Sequence, residues 1–234
     1  LTRLVHLIDR RVHEKCPVAY LLKEAWLTEH SFYIDERALI PRSFIAELIE
    51  EDFAPWVADP YEVGSVLDMC TGSGCLAILL QGIFPNAQVT GADISADALE
   101  VAKINRERYD MVDTLELVES DLFAQLEGRR FDLIVSNPPY VTEASMEALP
   151  QEYRHEPTLA LGAGEDGMDV VRRLVPEARE HLNEGGMLIV EVGDNAQYVE
   201  AAFPGLELTW LATSGGDDQV FLVTKDQLDA YFGE

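Results

Sequence analysis

The sequence predicts an α/β protein built on a doubly wound, mostly parallel sheet of seven strands. Three observations carry this. From Val63 onward, short apolar runs alternate with helical patterns, the arrangement of βαβ units in a parallel sheet. A glycine turn over 71–74 joins the first run to an apolar helix. The last two runs, 206–212 and 219–224, are separated by a loop carrying Gly215 and Gly216, which predicts an antiparallel closing pair.

The strands are expected at 65–69, 88–93, 115–119, 131–136, 186–192, 206–212 and 219–224. The first ends in Asp68-Met69 and is followed by Cys70-Thr71-Gly72-Ser73-Gly74, then by a buried helix from Cys75 to Leu80. A helix from Ser95 has Ser95 as its cap, Ile94 and Leu99 as a hydrophobic staple, and Asp97 in its first turn. Another helix, 168–182, contains Pro176, which predicts a kink. The stretch before residue 60 lacks the alternation. Leu4, Leu7, Ile8 and Val12 suggest a helix end, 17–34 an irregular or hairpin element, and Ile40-Pro41-Arg42 a turn with Ser43 capping a helix that carries Ile45, Leu48 and Ile49. Residues 1–60 therefore read as the remnant of an N-terminal helical or hairpin substrate-binding region, and 61–234 as the main domain. Because the chain starts at Leu1, a preceding piece is expected to be missing.

Composition narrows the classes. Apolar residues make up 47% of the 234 residues, as in a folded domain. No apolar run approaches the ~20 residues that span a bilayer, and no signal peptide is visible. Cys16, Cys70 and Cys75 form neither a metal-binding spacing nor a disulfide framework. Together with five isolated histidines this predicts reduced thiols, no metal and a cytoplasmic location. Forty-three acids against 17 bases give a net charge of −26. Such a surface disfavours direct nucleic-acid binding and favours either solubility at high salt or a basic partner.

A strand, a glycine turn and a helix N-terminus leave backbone N–H groups facing outward, which suits a bound cofactor. Gly72-x-Gly74-x-x-Ala77 with Asp93 about 20 residues on also fits a dinucleotide site. Asp68 favours a cationic ligand over a pyrophosphate. Asp93 can accept from two ribose hydroxyls, and Asp121 from an adenine amino group, with Leu122 beside the base. Asp121 alone is equally an N-cap for 122–126.

Asn137-Pro138-Pro139-Tyr140 follows an apolar strand. Two prolines stiffen the loop and remove two donors, so its carbonyls are free to accept. A planar substrate NH₂ can donate to the Asn137 oxygen and to the Pro138 carbonyl, while Tyr140 offers a ring face or hydroxyl. Two such acceptors favour a more pyramidal and more nucleophilic nitrogen, with no covalent catalyst. A simple Asn-Pro turn is the structural alternative.

Together these motifs resemble the S-adenosyl-L-methionine-dependent amino-methyltransferases, with a Rossmann-like, class I fold. Pro17-x-x-Tyr20-Leu21, Leu39-Ile40-Pro41-Arg42, Glu156-Pro157-x-x-Ala160-Leu161 and Asp166-Gly167-Met168-Asp169 narrow this to the HemK-type protein-(glutamine-N5) methyltransferases. Where release-factor methylases continue Pro-Arg with Pro-Glu-Thr-Glu, this chain has Ser43-Phe44-Ile45-Ala46-Glu47. That variant is similar to the PrmB branch, which acts on a glutamine of large-subunit ribosomal protein 3. The resemblance implies a cofactor pocket of Cys70, Thr71, Gly72, Ser73, Gly74, Asp93, Leu122 and Asn137, to which Asp68, Ile94 and Asp121 are added from their positions. It implies that 137–140 hold the target amide. Residues 141–168 are expected to form a substrate-facing loop whose Glu143, Glu147, Glu152 and Glu156 can meet a basic protein. Release factors and nucleic-acid bases remain alternative targets.

Overall fold

The structure, a computed structural model, describes residues 2–233. Short elements come first: α1 (Thr2–Asp9), a π-turn over Arg10–Glu14, α2 (Val18–Leu22), a hairpin of β1 (Ala25–Leu27) and β2 (His30–Phe32), and α3 (Ile45–Glu50). The main domain then runs β3 (Ser65–Met69), α4 (Cys75–Ile83), β4 (Gln88–Asp93), α5 (Ala96–Arg108), β5 (Leu115–Glu119), β6 (Phe131–Ser136), α6 (Glu143–Ala148), α7 (Val171–His181), β7 (Leu182–Glu191), α8 (Ala196–Ala202), β8 (Thr209–Thr213), β9 (Gly216–Thr224) and α9 (Lys225–Phe232). Seven strands form one sheet in the order β5-β4-β3-β6-β7-β9-β8. Only β9 runs against its neighbours. This is the Rossmann-like α/β architecture. No helix among the described residues is long and apolar enough to cross a membrane.

Successive strand residues enter opposite cores, as the two-residue period of a strand requires. Val66, Leu133 and Ile189 face the side of α3 and α4, where Ile45, Ile78 and Phe84 are buried. Leu67, Ile134 and Leu188 face the side of α7 and α9, with Leu174, Val175 and Leu228. Several expected element ends move, and α7 is not broken at its proline. β7 begins at Leu182, which pairs with Phe131; the strand then bulges before pairing resumes at Met187. β8 starts at Thr209 rather than 206. α7 continues through Pro176.

The 141–168 segment is more ordered than a loop. It contains α6, short 3₁₀ turns at Gln151–His155 and Thr158–Ala160, and a parallel bridge between Val141 and Gly162. Of the four glutamates expected to meet a basic protein, Glu143 and Glu147 are exposed. Glu152 pairs with Arg11 at 2.6 Å, and Glu156 is buried against Arg42 at 2.9 Å.

A buried amide is one of the contacts that dock the N-terminal elements. Asn105 on α5 accepts from Tyr33 N–H at 2.7 Å and donates to the carbonyls of Tyr33 and Ser73, each at 2.9 Å. It thereby ties the β2 exit to the glycine turn. The turn has a second support. Asp68 is turned into the protein beneath it, where Oδ2 accepts from Thr71 Oγ1 at 2.6 Å and Ala77 N–H at 3.0 Å. Its Oδ1 is buried without a partner. Burial pushes the Asp68 carboxyl up to about 7, with the Thr71 and Ala77 donors opposing and nearby Asp93 adding to the rise.

Two predictions follow from these supports. Asn105→Ala leaves buried backbone groups unpaired and should lower stability by about 1–3 kcal/mol, measured as a lower urea midpoint at unchanged slope. For Asp68, the folded-state value near 7 lies above the unfolded value of about 3.9. Its favourable contribution is thus full below about pH 4 and is lost as pH rises to about 7. Asp68→Asn does not titrate, so variant-minus-parent stability should rise across that window and level off above it. Urea unfolding from acid to neutral pH reads this directly, and a flat difference would contradict it.

Candidate active site at the carboxyl ends of the strands

α4, which follows β3, and α7, which precedes β7, cover opposite faces of the sheet. A crevice therefore opens between the adjacent strands β3 and β6 at their carboxyl ends, the place where doubly wound sheets take ligands. A cleft of about 260 Å³ lies there. Among the expected site residues, Cys70, Gly72, Asp93, Ile94, Asp121, Leu122, Asn137 and Pro139 line it. Asp68, Thr71, Ser73 and Gly74, at the β3 end and in the turn, do not, nor do Pro138 and Tyr140 of the tetrapeptide.

The wall is built from unusual backbone. Cys70 and Leu122 have φ of 63° and 48°, left-handed values uncommon for side-chain-bearing residues. Gly72 has φ of 54°, and a Cβ there would meet nothing within 4 Å. The glycine is needed for the turn, and its open side leaves room for a ligand against the backbone. Asp93 Oδ2 accepts from Gly72 N–H at 2.8 Å and Oδ1 from Ser95 N–H at 2.9 Å. Burial raises its pKa, while these backbone donors hold it down. Each oxygen keeps a further lone pair. Ser95 also caps α5, accepting from Ala98 N–H at 3.1 Å, whereas Ile94, expected to staple that helix, is half exposed in the cleft.

Asp121 is exposed and pairs with Arg173 on α7 at 3.0 Å. It caps no helix: residues 122–125 form a turn, and the side chain that supports it is Ser120, accepting from Gln125 N–H at 3.0 Å. Arg37 also lines the cleft, steered by the buried Asp35 through bonds of 2.9 and 2.8 Å. Those bonds, led by Arg37, hold the Asp35 carboxyl well below the usual carboxylate range. Arg37, Arg173 and Leu159 belong to the cleft yet escaped sequence reasoning. Each comes from a segment remote from the glycine turn, with no motif that distinguishes it from a surface residue.

The tetrapeptide is fixed at both ends. Asn137 Nδ2 donates to the Arg42 carbonyl at 3.1 Å. A carbonyl only accepts, so this bond assigns the amide orientation and leaves Oδ1 as an acceptor with no partner among the described residues. Tyr140 donates its hydroxyl to Glu191 at 3.2 Å, and its carbonyl accepts from Asn195 Nδ2 at 2.6 Å. Burial, reinforced by the Glu191 charge, keeps the Tyr140 phenol protonated. Its ring packs so closely on Gly193 that a Cβ there would approach ring carbon Cε2 to 2.8 Å. Ser43, expected as a helix cap, accepts from Ile45 N–H at 3.2 Å but directs its hydroxyl proton to Glu191 at 2.6 Å.

Comparison with known proteins adds a family. Residues 53–152 match the Methyltransferase small domain. A ribosomal protein uL3 glutamine methyltransferase of Burkholderia pseudomallei is 53% identical over 233 residues, covering 97% of this chain and 76% of that protein. Its counterpart in Neisseria meningitidis serogroup A is 52% identical over 221 residues, covering 94% and 73%. A methyltransferase structure from Pyrococcus furiosus superposes with a TM-score of 0.60 at 17% identity, covering 96% of both chains, a likeness of fold alone. With more than half of its residues shared along almost its whole length, this chain belongs to the ribosomal protein uL3 glutamine methyltransferase family.

Proposed function

We propose that this protein transfers a methyl group from S-adenosyl-L-methionine to the side-chain amide nitrogen of a glutamine in ribosomal protein uL3, in the cytoplasm. One observation carries the chemistry: the Asn137 amide is turned so that Nδ2 is spent on Arg42 and Oδ1 is left to accept. The target names come from the relatives, and the acidic surface suits a basic ribosomal protein better than nucleic acid. Three cysteines without disulfides agree with a reducing compartment.

The residues present fit the cofactor. Gly72 leaves the turn open to a nucleoside, and the spare lone pairs of Asp93 suit ribose hydroxyls. Cys70, Ile94 and Leu122 supply apolar walls, and Asp121 stands at the rim for an amino group. Thr71, Ser73, Gly74 and Asp68 shape the turn from behind. When bound, the cofactor supplies an electrophilic methyl on a sulfonium that leaves as a neutral thioether.

Asn137 Oδ1 and the Pro138 carbonyl accept the two amide protons of the target glutamine. This draws its lone pair out of conjugation and aims it at the methyl group. Pro139 stiffens the loop and Tyr140 anchors it, so the acceptors are in place before the substrate arrives. The new N–CH₃ bond uses the nitrogen lone pair as the S–CH₃ bond breaks, and one N–H proton then passes to solvent water. Residues 1–60 act as a substrate-facing element on the 61–234 domain, joined to the tetrapeptide through Arg42 and to 141–168 through Glu156.

Labelled cofactor with purified uL3, a release factor and ribosomal RNA as separate substrates tests the reading. Label is expected on one glutamine of uL3, and none when that glutamine is replaced by glutamate, which has no N–H to donate. Label confined to the release factor or the RNA would overturn the target. Asn137→Ala should reduce turnover by roughly 10²–10³, the scale of one lost preorganised contact, with cofactor affinity affected less. Asp93→Ala should weaken S-adenosyl-L-methionine binding by about 1–3 kcal/mol in calorimetry; unchanged affinity would remove Asp93 from the site.

A further inference from the structure

Glu191 ends β7 outside the cleft and is only 2% exposed. Its two oxygens serve two separate segments. Oε2 accepts from the Ser43 hydroxyl at 2.6 Å and from Phe44 N–H at 2.9 Å. Oε1 accepts from the Tyr140 hydroxyl at 3.2 Å. Arg42, whose carbonyl holds Asn137 Nδ2, directly precedes Ser43. Both ends of the tetrapeptide therefore lead back to one carboxylate: Tyr140 directly, and Asn137 through the backbone of 42–44.

We propose that Glu191 is a positioning residue for methyl transfer: by clamping Ser43 and Phe44 it holds the Arg42 carbonyl where it fixes the Asn137 amide with Oδ1, not Nδ2, toward the substrate NH₂. This rests on the glutamine-amide reading above. The physical need is specific. The terminal torsion of an asparagine is broad, and its two orientations, related by a half-turn, have the same shape. Without an external acceptor for Nδ2, the amide can turn its own NH₂ to the substrate, so that donor faces donor and the nucleophile is no longer drawn out. Glu156 is a weaker hold on the same stretch. It grips Ile40 N–H at 3.1 Å and the tip of the long Arg42 side chain at 2.9 Å, not the peptide units on the C-terminal side of the Arg42 carbonyl. Phe44 N–H and Ser43 are next to that carbonyl, so Glu191 controls it through two rigid peptide planes.

Glutamine at this position retains one oxygen for Ser43 and Phe44 and presents an NH₂ to the Tyr140 oxygen. Alanine retains neither. The experiment measures kcat and KM on uL3, and the cofactor dissociation constant, for the parent, Glu191→Ala, Glu191→Gln, Asn137→Ala and the double variant Glu191→Ala/Asn137→Ala. Glu191→Ala should lower kcat by roughly 10–10²-fold, with KM and cofactor affinity within about threefold of the parent. Glu191→Gln should recover most of that loss. In the Asn137→Ala background, Glu191→Ala should cost less than about threefold, because a residue acting through Asn137 has nothing left to orient. Additive losses, an unchanged kcat in Glu191→Ala, or cofactor affinity falling in step with kcat would each overturn the proposal. If Glu191→Ala does not fold, Ser43→Ala replaces it in the same cycle, with a loss of roughly three- to tenfold that must vanish beside Asn137→Ala; persistence of the loss would overturn the proposal. A parent protein that leaves uL3 unlabelled would instead overturn the function itself, before any Glu191 variant is compared.

Discussion

The sheet's reversal of direction between β3 and β6 is the constraint on which the rest depends. The chain builds outward through β3, β4 and β5, then returns to lay β6 beside β3. α4 must cover one face and α7 the other, so neither closes the gap above the two central strands. Parallel strands present the same ends at one rim, which brings the segments after β3, β4, β5 and β6 to one crevice. Everything proposed for the cofactor follows from that geometry: the glycine turn, Asp93, Asp121 and Asn137 are far apart in sequence and share an edge of the sheet.

Polar groups buried at this rim do the joining that apolar packing cannot do with the required precision. Hydrophobic contact is non-directional, whereas a buried hydrogen bond left unmade costs about 1–3 kcal/mol and so selects one arrangement. Asn105 uses this to register the N-terminal hairpin against the glycine turn. Asp68 uses it to hold the turn to the helix that follows, while its carboxyl is raised by burial. Glu191 joins the 42–44 segment to Tyr140, and burial raises its pKa against the pull of the Ser43, Phe44 and Tyr140 donors. The N-terminal elements are thus part of the site's architecture, because Arg37, Ala38 and Leu39 line the cleft and Arg42 orients the tetrapeptide.

The acidic composition divides in the same way between internal and external duties. Asp35, Asp68, Glu156 and Glu191 are buried and accept specific hydrogen bonds. Glu143 and Glu147 on α6 stay exposed, on the segment that follows the tetrapeptide and is bridged to itself between Val141 and Gly162. The outer acids thus stay in solvent while the inner ones are committed to structure.

Local pattern determined much of this protein by itself. Strand–helix alternation, the glycine turn and the closing antiparallel pair are short-range signals, and the seven strands stand where those signals place them, with shifts only at ends. The strand-end positions of Gly72, Asp93, Asp121 and Asn137 were legible for the same reason: in a parallel sheet, the residue after each strand must reach the ligand rim. Tertiary structure alone decided which way the side chains turned. Asp68 looks identical in sequence whether it faces a ligand or supports the turn, and only the positions of Thr71 and Ala77 settle that it points inward. Glu191 carries no motif, and Asn105 reads as one polar residue in a helix, because their partners lie 147 or 148 and 72 residues away. The orientation of Asn137 was equally hidden, since the carbonyl that fixes it belongs to Arg42, 95 residues earlier. No periodicity encodes such pairings; they arise only when the folded sheet brings the 42–44 segment across the end of β6.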